Sequence, residues 1–592
     1  MEGLKNRLDL PIIEWVSVAQ GRRTGSPLLS GSSAETRTTG NSVRKSDGRD
    51  CLTGTRSQGR ERRRGFGWKG VTSIRPELDD IATDRDAVAS HPNRIILASN
   101  RGPLEYNFDK SGALRACGGN GGVATALTSL MPLGDFVWIA SAMTEGDRRM
   151  AHAGRSRVEV DDHQCDQRFV VVPRRAYHQY YGVFSNPILW FLQHGLWDSL
   201  RAHDLAGRIR RSWEEGYLPV NRAFARCVAE ELSNGTTPSY VMIQDYHLYM
   251  CPGYVRSLAP DVILQHFLHI PWPTPEDWSK LPHDIVRAIC RSLLSADIVG
   301  FQTDVSAANF VETCRRFLPG VIASSSGDAV ARGGRLTRVR AYPVSVDPER
   351  LRDQTLSLDF ARYRKQLSQH LVRQTIVRVD RLDPSKNILG GLDAFELLLG
   401  RHPELIGQVR LLAFLVPSRG CVPEFRSHAQ RVWRRIFDIN DRFRQGDWEP
   451  IEAFAENNYT QALAGMSLYD VLLVNSLADG MNLVSKEGPL VNRRDGVVVL
   501  STEVGSQREL AEGALSVAPG DVEGTADALW RALTMAEEER RHRAHQLRRV
   551  IVENDLRTWL QRQSEDLAEI AAERLSLPLP SPRPALALTA AG

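Results

Sequence analysis

Any large imbalance of charge is missing from this chain: 75 Lys and Arg stand against 71 Asp and Glu, a net charge of +4 over 592 residues. That is too small an excess for the basic face that binds a polyanion, so no nucleic-acid partner is expected. Long apolar runs are missing too. No stretch of about 18 apolar residues occurs, which argues against a membrane-spanning helix and a membrane partner. The first residues lack a basic segment followed by an apolar one, so secretion is not expected. Cysteine is sparse: Cys51, Cys117, Cys165, Cys227, Cys251, Cys290, Cys314 and Cys421 stand singly, and no Cys-x-x-Cys pair occurs. Neither a structural zinc site nor a redox dithiol is therefore suggested, and scattered thiols in a large chain suit a reducing cytoplasm. No acidic metal motif stands out. The glycine cluster Gly118-Gly119-Asn120-Gly121-Gly122 lies too far from its strand to form a dinucleotide fingerprint. We expect no metal and no cofactor.

Apolar patterning begins near Asn93. Residues 1–92 are rich in Arg, Gly, Ser and Thr, with Arg60, Arg62, Arg63 and Arg64 in one cluster. Such a segment buries too little apolar surface to offset its ordering entropy, and it reads as a disordered or atypical extension. From Arg94 the chain alternates short apolar strands with amphipathic helices. One series of strands is expected at 94–100, 136–141, 169–173, 240–244, 263–269, 298–302 and 338–343. A second is expected at 375–379, 409–416, 471–475 and 497–500, after a polar linker over 346–371. Alternation of this kind predicts parallel sheets covered by helices on both faces. The expected fold is thus α/β, with two Rossmann-like, doubly wound domains at 93–350 and 371–545 facing across a cleft. Ligands in such sheets lie outside the carboxyl ends of the strands. Residues 546–575 read as helix, and 576–592, rich in Pro and Ala, as a disordered tail.

Six motifs stand out, most of them at expected strand ends. Ser99-Asn100-Arg101-Gly102-Pro103 puts an arginine where a strand opens into the cleft, within reach of an anion. Tyr180-Tyr181, Phe184-Ser185-Asn186 and Leu189-Trp190 supply aromatic faces with polar tips, which suit sugars and phosphates as well as core packing. Gln244-Asp245-Tyr246-His247 offers a carboxylate that can accept bonds from sugar hydroxyls. Phe267-Leu268-His269-Ile270-Pro271-Trp272-Pro273 lifts a histidine from a buried strand into a proline turn. Arg381 and Lys386, in Asp380-Arg381-Leu382-Asp383-Pro384-Ser385-Lys386-Asn387, are two cations placed where a diphosphate leaving group would need its charge balanced. Asn475-Ser476-Leu477-Ala478-Asp479-Gly480-Met481-Asn482-Leu483-Val484-Ser485-Lys486-Glu487 reads as a strand end, a glycine turn and a helix start whose amides favour phosphate. The eight-residue gap between Asp479 and Glu487 predicts carboxylates at opposite ends of about two helical turns, able to touch different parts of one extended ligand.

In their order and spacing these motifs resemble the trehalose-6-phosphate synthase family of retaining glycosyltransferases, over roughly residues 94–571. The resemblance implies the GT-B arrangement, with a C-terminal helix crossing back to the first domain. It implies transfer of glucose from a nucleotide sugar, UDP- or GDP-glucose, to glucose 6-phosphate, without a metal and with retention. Residue by residue it implies Arg101, Trp138, Tyr181, Trp190, Asp245 and Arg419 for the acceptor. It implies Gly122, Met481, Asn482, Leu483, Val484 and Glu487 for the donor, and Arg381, Lys386, His269 and Asp479 at the reacting centre. The sequence departs from the family pattern at Gln244, where His usually precedes Asp-Tyr-His, and at Ser345, Met466-Ser467 and Ala478. The nucleotide base and a homo-oligomeric state stay open. A related transfer remains an alternative, to a cyclitol phosphate or to give a glucosylglycerol phosphate. A non-catalytic sugar-phosphate sensor is the remaining alternative, although it would be expected to have lost the Arg381 and Lys386 pair. The chain has no Asp-x-Asp-Gly-Thr phosphatase signature, so synthase activity alone is expected.

Overall fold

The computed structural model describes residues 94–576 apart from 119–125, 129, 132–134, 161–162, 201–203 and 236–238. Gly122, the N-terminal extension and the tail beyond Ser576 lie outside the described residues.

The first sheet has ten strands. They are β1 (Arg94–Ala98), β4 (Asp135–Ser141), β5 (Arg155–Val160), β6 (His163–Val170), β7 (Ser239–Gln244), β8 (Ile263–Phe267), β9 (Ile298–Phe301), β10 (Ile322–Ala323), β11 (Ala329–Arg332) and β12 (Arg335–Ala341). Strands β2 (Leu104–Phe108) and β3 (Leu114–Gly118) form a separate hairpin. The sheet order is β10-β11-β12-β9-β8-β7-β1-β4-β6-β5. Its middle is parallel, and β5 and the β10-β11-β12 edge are antiparallel. The second sheet is wholly parallel, in the order β15-β14-β13-β16-β17-β18. It is built from β13 (Gln374–Arg381), β14 (Val409–Val416), β15 (Ile451–Phe454), β16 (Val471–Val474), β17 (Val497–Ser501) and β18 (Leu515–Val517). Sequences such as Leu-Leu-Ala-Phe-Leu in β14 are apolar on both faces because helices cover both sides.

The last helix returns to the first sheet. Its first amide, at Leu556, donates to Val346 O at 3.0 Å, and the Trp559 indole donates to Tyr342 O at 3.1 Å. Trp559, Leu567 and Ile570 complete the core under β8 and β9, and Gln563 meets Gln265 at 3.2 Å. The α/β architecture of two parallel-sheet lobes with a returning C-terminal helix is therefore the expected one. Among the described residues no helix is long and apolar enough to cross a membrane.

Two local expectations change. The strand expected over 169–173 occupies His163–Val170, because pairing with β4 and β5 recruits its polar start. The helix expected to carry both Asp479 and Glu487 begins only at Val484, so Asp479 sits in the loop before it. Asn482, with φ at 59°, makes that loop turn before the helix can open.

Candidate active site

The cationic loop after β13 is held from below by a buried arginine. Arg378, fully enclosed, donates twice to Asp380 Oδ2, at 3.0 and 2.7 Å, and once to Lys386 O at 3.1 Å. Asn387 takes a left-handed conformation (φ 51°), and its side-chain Nδ2 donates to Asn475 O and Pro519 O at 3.1 and 2.6 Å. On this frame Lys386 Nζ pairs with Asp479 Oδ2. Arg381, whose side chain is 52% exposed, pairs with Asp383 Oδ2 at 2.8 Å. The buried Asp383 also takes Arg419 on Oδ1 at 3.0 Å. Burial would raise the Asp383 carboxyl, but the flanking Arg381 and Arg419 guanidiniums hold it far below the ordinary carboxylate range.

Asp479 is oriented further by Asn482 Nδ2 at 3.1 Å and Ser476 Oγ at 3.4 Å. The next residue must be glycine: a Cβ on Gly480 would stand 1.9 Å from His269 O, so here the loops of the two lobes touch backbone to backbone. The helix α1 (Val484–Val491) follows; its Ser485, Lys486 and Glu487 amides turn back onto the Asn482 and Leu483 carbonyls, which leaves the Val484 amide at its start. Met481 turns its side chain into the core of the first lobe, which leaves its backbone along the cleft. In the first turn of α1, Glu487 accepts from Tyr459 OH at 2.9 Å, and burial pushes its carboxyl up to about 7. Lys486 is wholly buried, paired with Glu509, and donates to Val344 O at 3.1 Å.

The facing wall belongs to the first lobe. Asp245, at φ 70°, ends β7, and its Oδ1 accepts the His269 amide at 3.3 Å. Burial would raise the Asp245 carboxyl, yet the hydrogen bond with His247 and the charge that His247 and His269 gain in acid hold it below the ordinary value. His269 Nε2 lies 2.9 Å from Gln244 Oε1, and burial pushes its imidazole down to about 4, so it is neutral at physiological pH. Tyr181 stacks between Tyr177 and His247, with centroids 5.6 and 5.9 Å away. Arg101, at the mouth beside Tyr181, reaches Glu105 at 3.4 Å. Arg419 crosses from the second lobe to donate to Asn186 Oδ1 at 2.8 Å, its guanidinium 5.3 Å from the Trp190 ring centroid and 5.0 Å from that of Phe425.

The structure thus gathers Arg381, Lys386, Asp479, Asn482, Asp245, His269, Tyr181 and Arg419 around the meeting of the two lobes. Two expected residues act at one remove. Trp138 does not line the cleft: it is fully enclosed in the core, where its indole donates to Ser99 Oγ at 2.8 Å, and Ser99 in turn donates to Arg101 O at 2.6 Å. Trp190 is likewise buried and offers its face to Arg419. Gly122 is outside the described residues. Three residues that hold this arrangement together had no role from sequence. Asp383 bridges two cations, a role its place two residues after Arg381 and three before Lys386 could have suggested. Asn186, which accepts from Arg419 and the Tyr246 hydroxyl, and Gln302, which meets His269 Nδ1 and the Val344 amide, stand among apolar residues in sequence and carry no periodic signal.

The family model "Glycosyltransferase family 20" matches residues 93–569. A "Bifunctional trehalose-6-phosphate synthase/phosphatase" of Thermoproteus tenax is 32% identical over 79% of this chain; this chain spans 62% of that protein's length. An "Alpha,alpha-trehalose-phosphate synthase [UDP-forming]" of Schizosaccharomyces pombe is 30% identical, covering 80% of this chain and 90% of its own. Among solved structures, an α,α-trehalose-phosphate synthase (UDP-forming) from Burkholderia vietnamiensis is similar at a TM-score of 0.70 and 30% identity, over 82% of this chain and 99% of that one. Another, from Burkholderia xenovorans in complex with glucose-6-phosphate, is similar at a TM-score of 0.69 and 27% identity, over 80% and 99%.

Proposed function

The chain belongs to glycosyltransferase family 20, and from that premise we propose that it transfers glucose from UDP-glucose to glucose 6-phosphate with retention, giving trehalose 6-phosphate. The observation that carries this reading is the cation pair Arg381 and Lys386, held on a buried frame at the end of β13, across the lobe junction from Asp245 and His269. UDP is preferred to GDP because the S. pombe and Burkholderia relatives are UDP-forming, and glucose 6-phosphate is the ligand of the B. xenovorans structure.

In this reading the donor diphosphate lies against Arg381, Lys386 and the Val484 amide at the start of α1. As the glycosidic bond breaks, the growing negative charge meets donors already in place, the arrangement from which electrostatic stabilisation draws most. Lys386 must exchange part of its bond with Asp479 for the phosphate. Asp479, with the Met481–Val484 backbone, then holds the glucose hydroxyls, and Glu487 accepts from the ribose. Asp245 orients the acceptor sugar, while Arg101, Tyr181 and Arg419 take its phosphate. The acceptor hydroxyl attacks from the face the diphosphate leaves, and the departing phosphate oxygen receives its proton. No carboxylate of the site is asked to form a covalent intermediate, unlike the two-carboxylate retaining glycosidases. The domains of this enzyme are taken as 93–350 and 371–545 with the crossing helix over 546–575. The described cysteines are unpaired, which suits a reducing compartment, and we take that compartment to be the cytoplasm.

The test is nucleotide release from UDP-, GDP- and ADP-glucose, each with and without glucose 6-phosphate. Release of UDP that depends on glucose 6-phosphate is expected. Binding of nucleotide without release under any pairing would sink the assignment.

A further inference from the structure

A chain of hydrogen bonds with a fixed polarity runs beneath the cleft. It starts at the Val344 main-chain amide, which donates to Gln302 Oε1 at 2.9 Å. A peptide N–H can only donate, so this contact decides which end of the Gln302 carboxamide is oxygen and which is nitrogen. Gln302 Nε2 then faces His269 Nδ1 at 3.4 Å. A carboxamide nitrogen also only donates, so Nδ1 is the acceptor and carries no proton. The single proton of the neutral imidazole is therefore on Nε2, which donates to Gln244 Oε1 at 2.9 Å. All three side chains are enclosed, at 2% exposure for Gln302, 8% for His269 and 1% for Gln244. The carbonyl of the same Val344 accepts from Lys486 Nζ at 3.1 Å. Lys486 neighbours Glu487 on α1, and its charge is balanced by Glu509.

We propose that Gln302 is a positioning residue of the transfer reaction, holding His269 as the Nε2–H tautomer in an orientation set by Val344, and that Lys486 ties this orientation to the seating of α1. The inference rests on the glucosyltransferase reading of the site. Its physical content is that a histidine bonded at both nitrogens has one tautomer and one ring orientation, so its backbone carbonyl, packed against Gly480, is fixed as well. The titratable groups facing the ring are Asp245, which accepts the His269 amide, and His266 on β8; the Phe267 ring lies edge-on at 4.8 Å. The second lobe presents the Gly480 backbone to His269, and Lys486 and Glu509 reach it only through Val344.

The experiment reads the tautomer directly in the free enzyme by 15N histidine spectroscopy, with the His269 signals identified by their loss in His269→Gln. The wild type should show a protonated Nε2 and a bare Nδ1, unchanged between about pH 6 and 9. In Gln302→Glu the carboxylate accepts from Val344 and invites a proton onto Nδ1. The His269 signals should then move to the Nδ1–H or imidazolium pattern, and kcat should gain an ionisation near neutrality. In Gln302→Leu kcat should fall by about tenfold without a new ionisation, since nothing there attracts a proton. Lys486→Met alone would leave Glu509 buried without its cation, so the paired variant Lys486→Met with Glu509→Gln is used and its thermal midpoint checked. It should mix the His269 tautomers and lower kcat more than it raises the KM for UDP-glucose. An Nδ1–H or charged His269 in the wild type, or a Gln302→Glu enzyme with wild-type spectrum and pH profile, overturns the relay. A wild-type spectrum in the paired variant overturns the link to α1. An inactive wild type with the expected tautomer strikes the proposed reaction and leaves the relay standing.

Discussion

The two walls of the cleft are built from different materials. The second lobe contributes charge: Arg381 and Lys386 on a loop fixed by the enclosed Arg378 and Asp380 pair, and Arg419 on the loop after β14, each already facing Asp383 or Asp479. The first lobe contributes mostly oriented, uncharged groups, a neutral His269 and the Tyr177, Tyr181 and His247 stack, with one carboxylate, Asp245, and Arg101 at the mouth. The difference follows from what each wall would face. A departing diphosphate needs compact positive charge that does not have to reorganise, and pairing with buried carboxylates keeps those cations in place while the site is empty. A sugar acceptor needs directional hydrogen bonds and flat apolar faces, which neutral polar groups supply without the desolvation cost of a bare ion.

The largest effect should therefore come from removing charge on the second wall. Lys386→Ala is expected to lower kcat by about 10²- to 10³-fold, the range for losing one preorganised donor at a developing anion. The Asp479 it frees is largely enclosed and keeps only Asn482 and Ser476 as partners, so the thermal midpoint should fall as well. Single-turnover measurement of UDP release separates the two: a comparable fall in nucleotide affinity with an unchanged chemical step would mean that the lysine only binds.

The contrast between the walls was unevenly legible in the sequence. Charges at strand ends are conspicuous, so Arg381, Lys386 and Asp479 could be placed from the motif alone, and the parallel sheets announced themselves through runs such as β14 and β17. The aromatic wall was harder. Trp138 and Trp190 were expected to touch ligand, and the structure encloses both, because an indole is as much a core residue as a sugar platform and only tertiary context separates the roles. Gln302 was invisible. Its importance lies in which atom Val344 N–H meets, and the partners are forty-two residues apart in sequence. Short strands such as β15 and β18 and the β2-β3 hairpin also escaped, since three to five residues make no periodic pattern.

Next in size is Asp383→Asn, which removes the carboxylate shared by Arg381 and Arg419 and so loosens both walls together. Breaking such a buried pair from one side should cost about 3 kcal/mol of stability, read as a lowered denaturation midpoint. The sign with pH is fixed. The native carboxyl is held far below its ordinary value, so its stabilisation is fully present above the unfolded carboxylate pKa and is lost only as pH falls through the native one. The gap between wild type and variant should stay constant from about pH 5 to 8 and close in acid. A gap that widened with acid would place the stabilisation elsewhere.

A smaller effect should come from Glu487, which accepts from a tyrosine hydroxyl in the first turn of α1. Burial pushes Glu487 up to about 7, so in the empty enzyme it is partly protonated near neutrality. Its native pKa lies above the unfolded value, so its ionisation costs stability progressively as pH rises from about 4.3 towards 7. Glu487→Gln should therefore gain stability over the wild type between those limits. If the carboxylate accepts from the donor ribose, the wild-type KM for UDP-glucose should fall as pH rises through 7, and the variant should show a flat, higher KM. A pH-independent wild-type KM would remove Glu487 from the donor site.

The smallest effect tests whether the enclosed tryptophan of the first lobe belongs to the site at all. Trp138 reaches the cleft only through Ser99, whose hydroxyl takes the indole N–H and passes a bond to the Arg101 carbonyl. Trp138→Phe keeps most of the ring and deletes that donor, so the stability loss should be about 1 kcal/mol, the net worth of one buried hydrogen bond. If Arg101 meets the acceptor phosphate, the slackened loop should raise the KM for glucose 6-phosphate about twofold to threefold, while the KM for UDP-glucose stays put, since a few tenths of a kcal/mol suffice for such a change. Equal shifts in both constants would mean that the substitution disturbs the sheet as a whole, and the division of labour between the two walls would lose its support at this position.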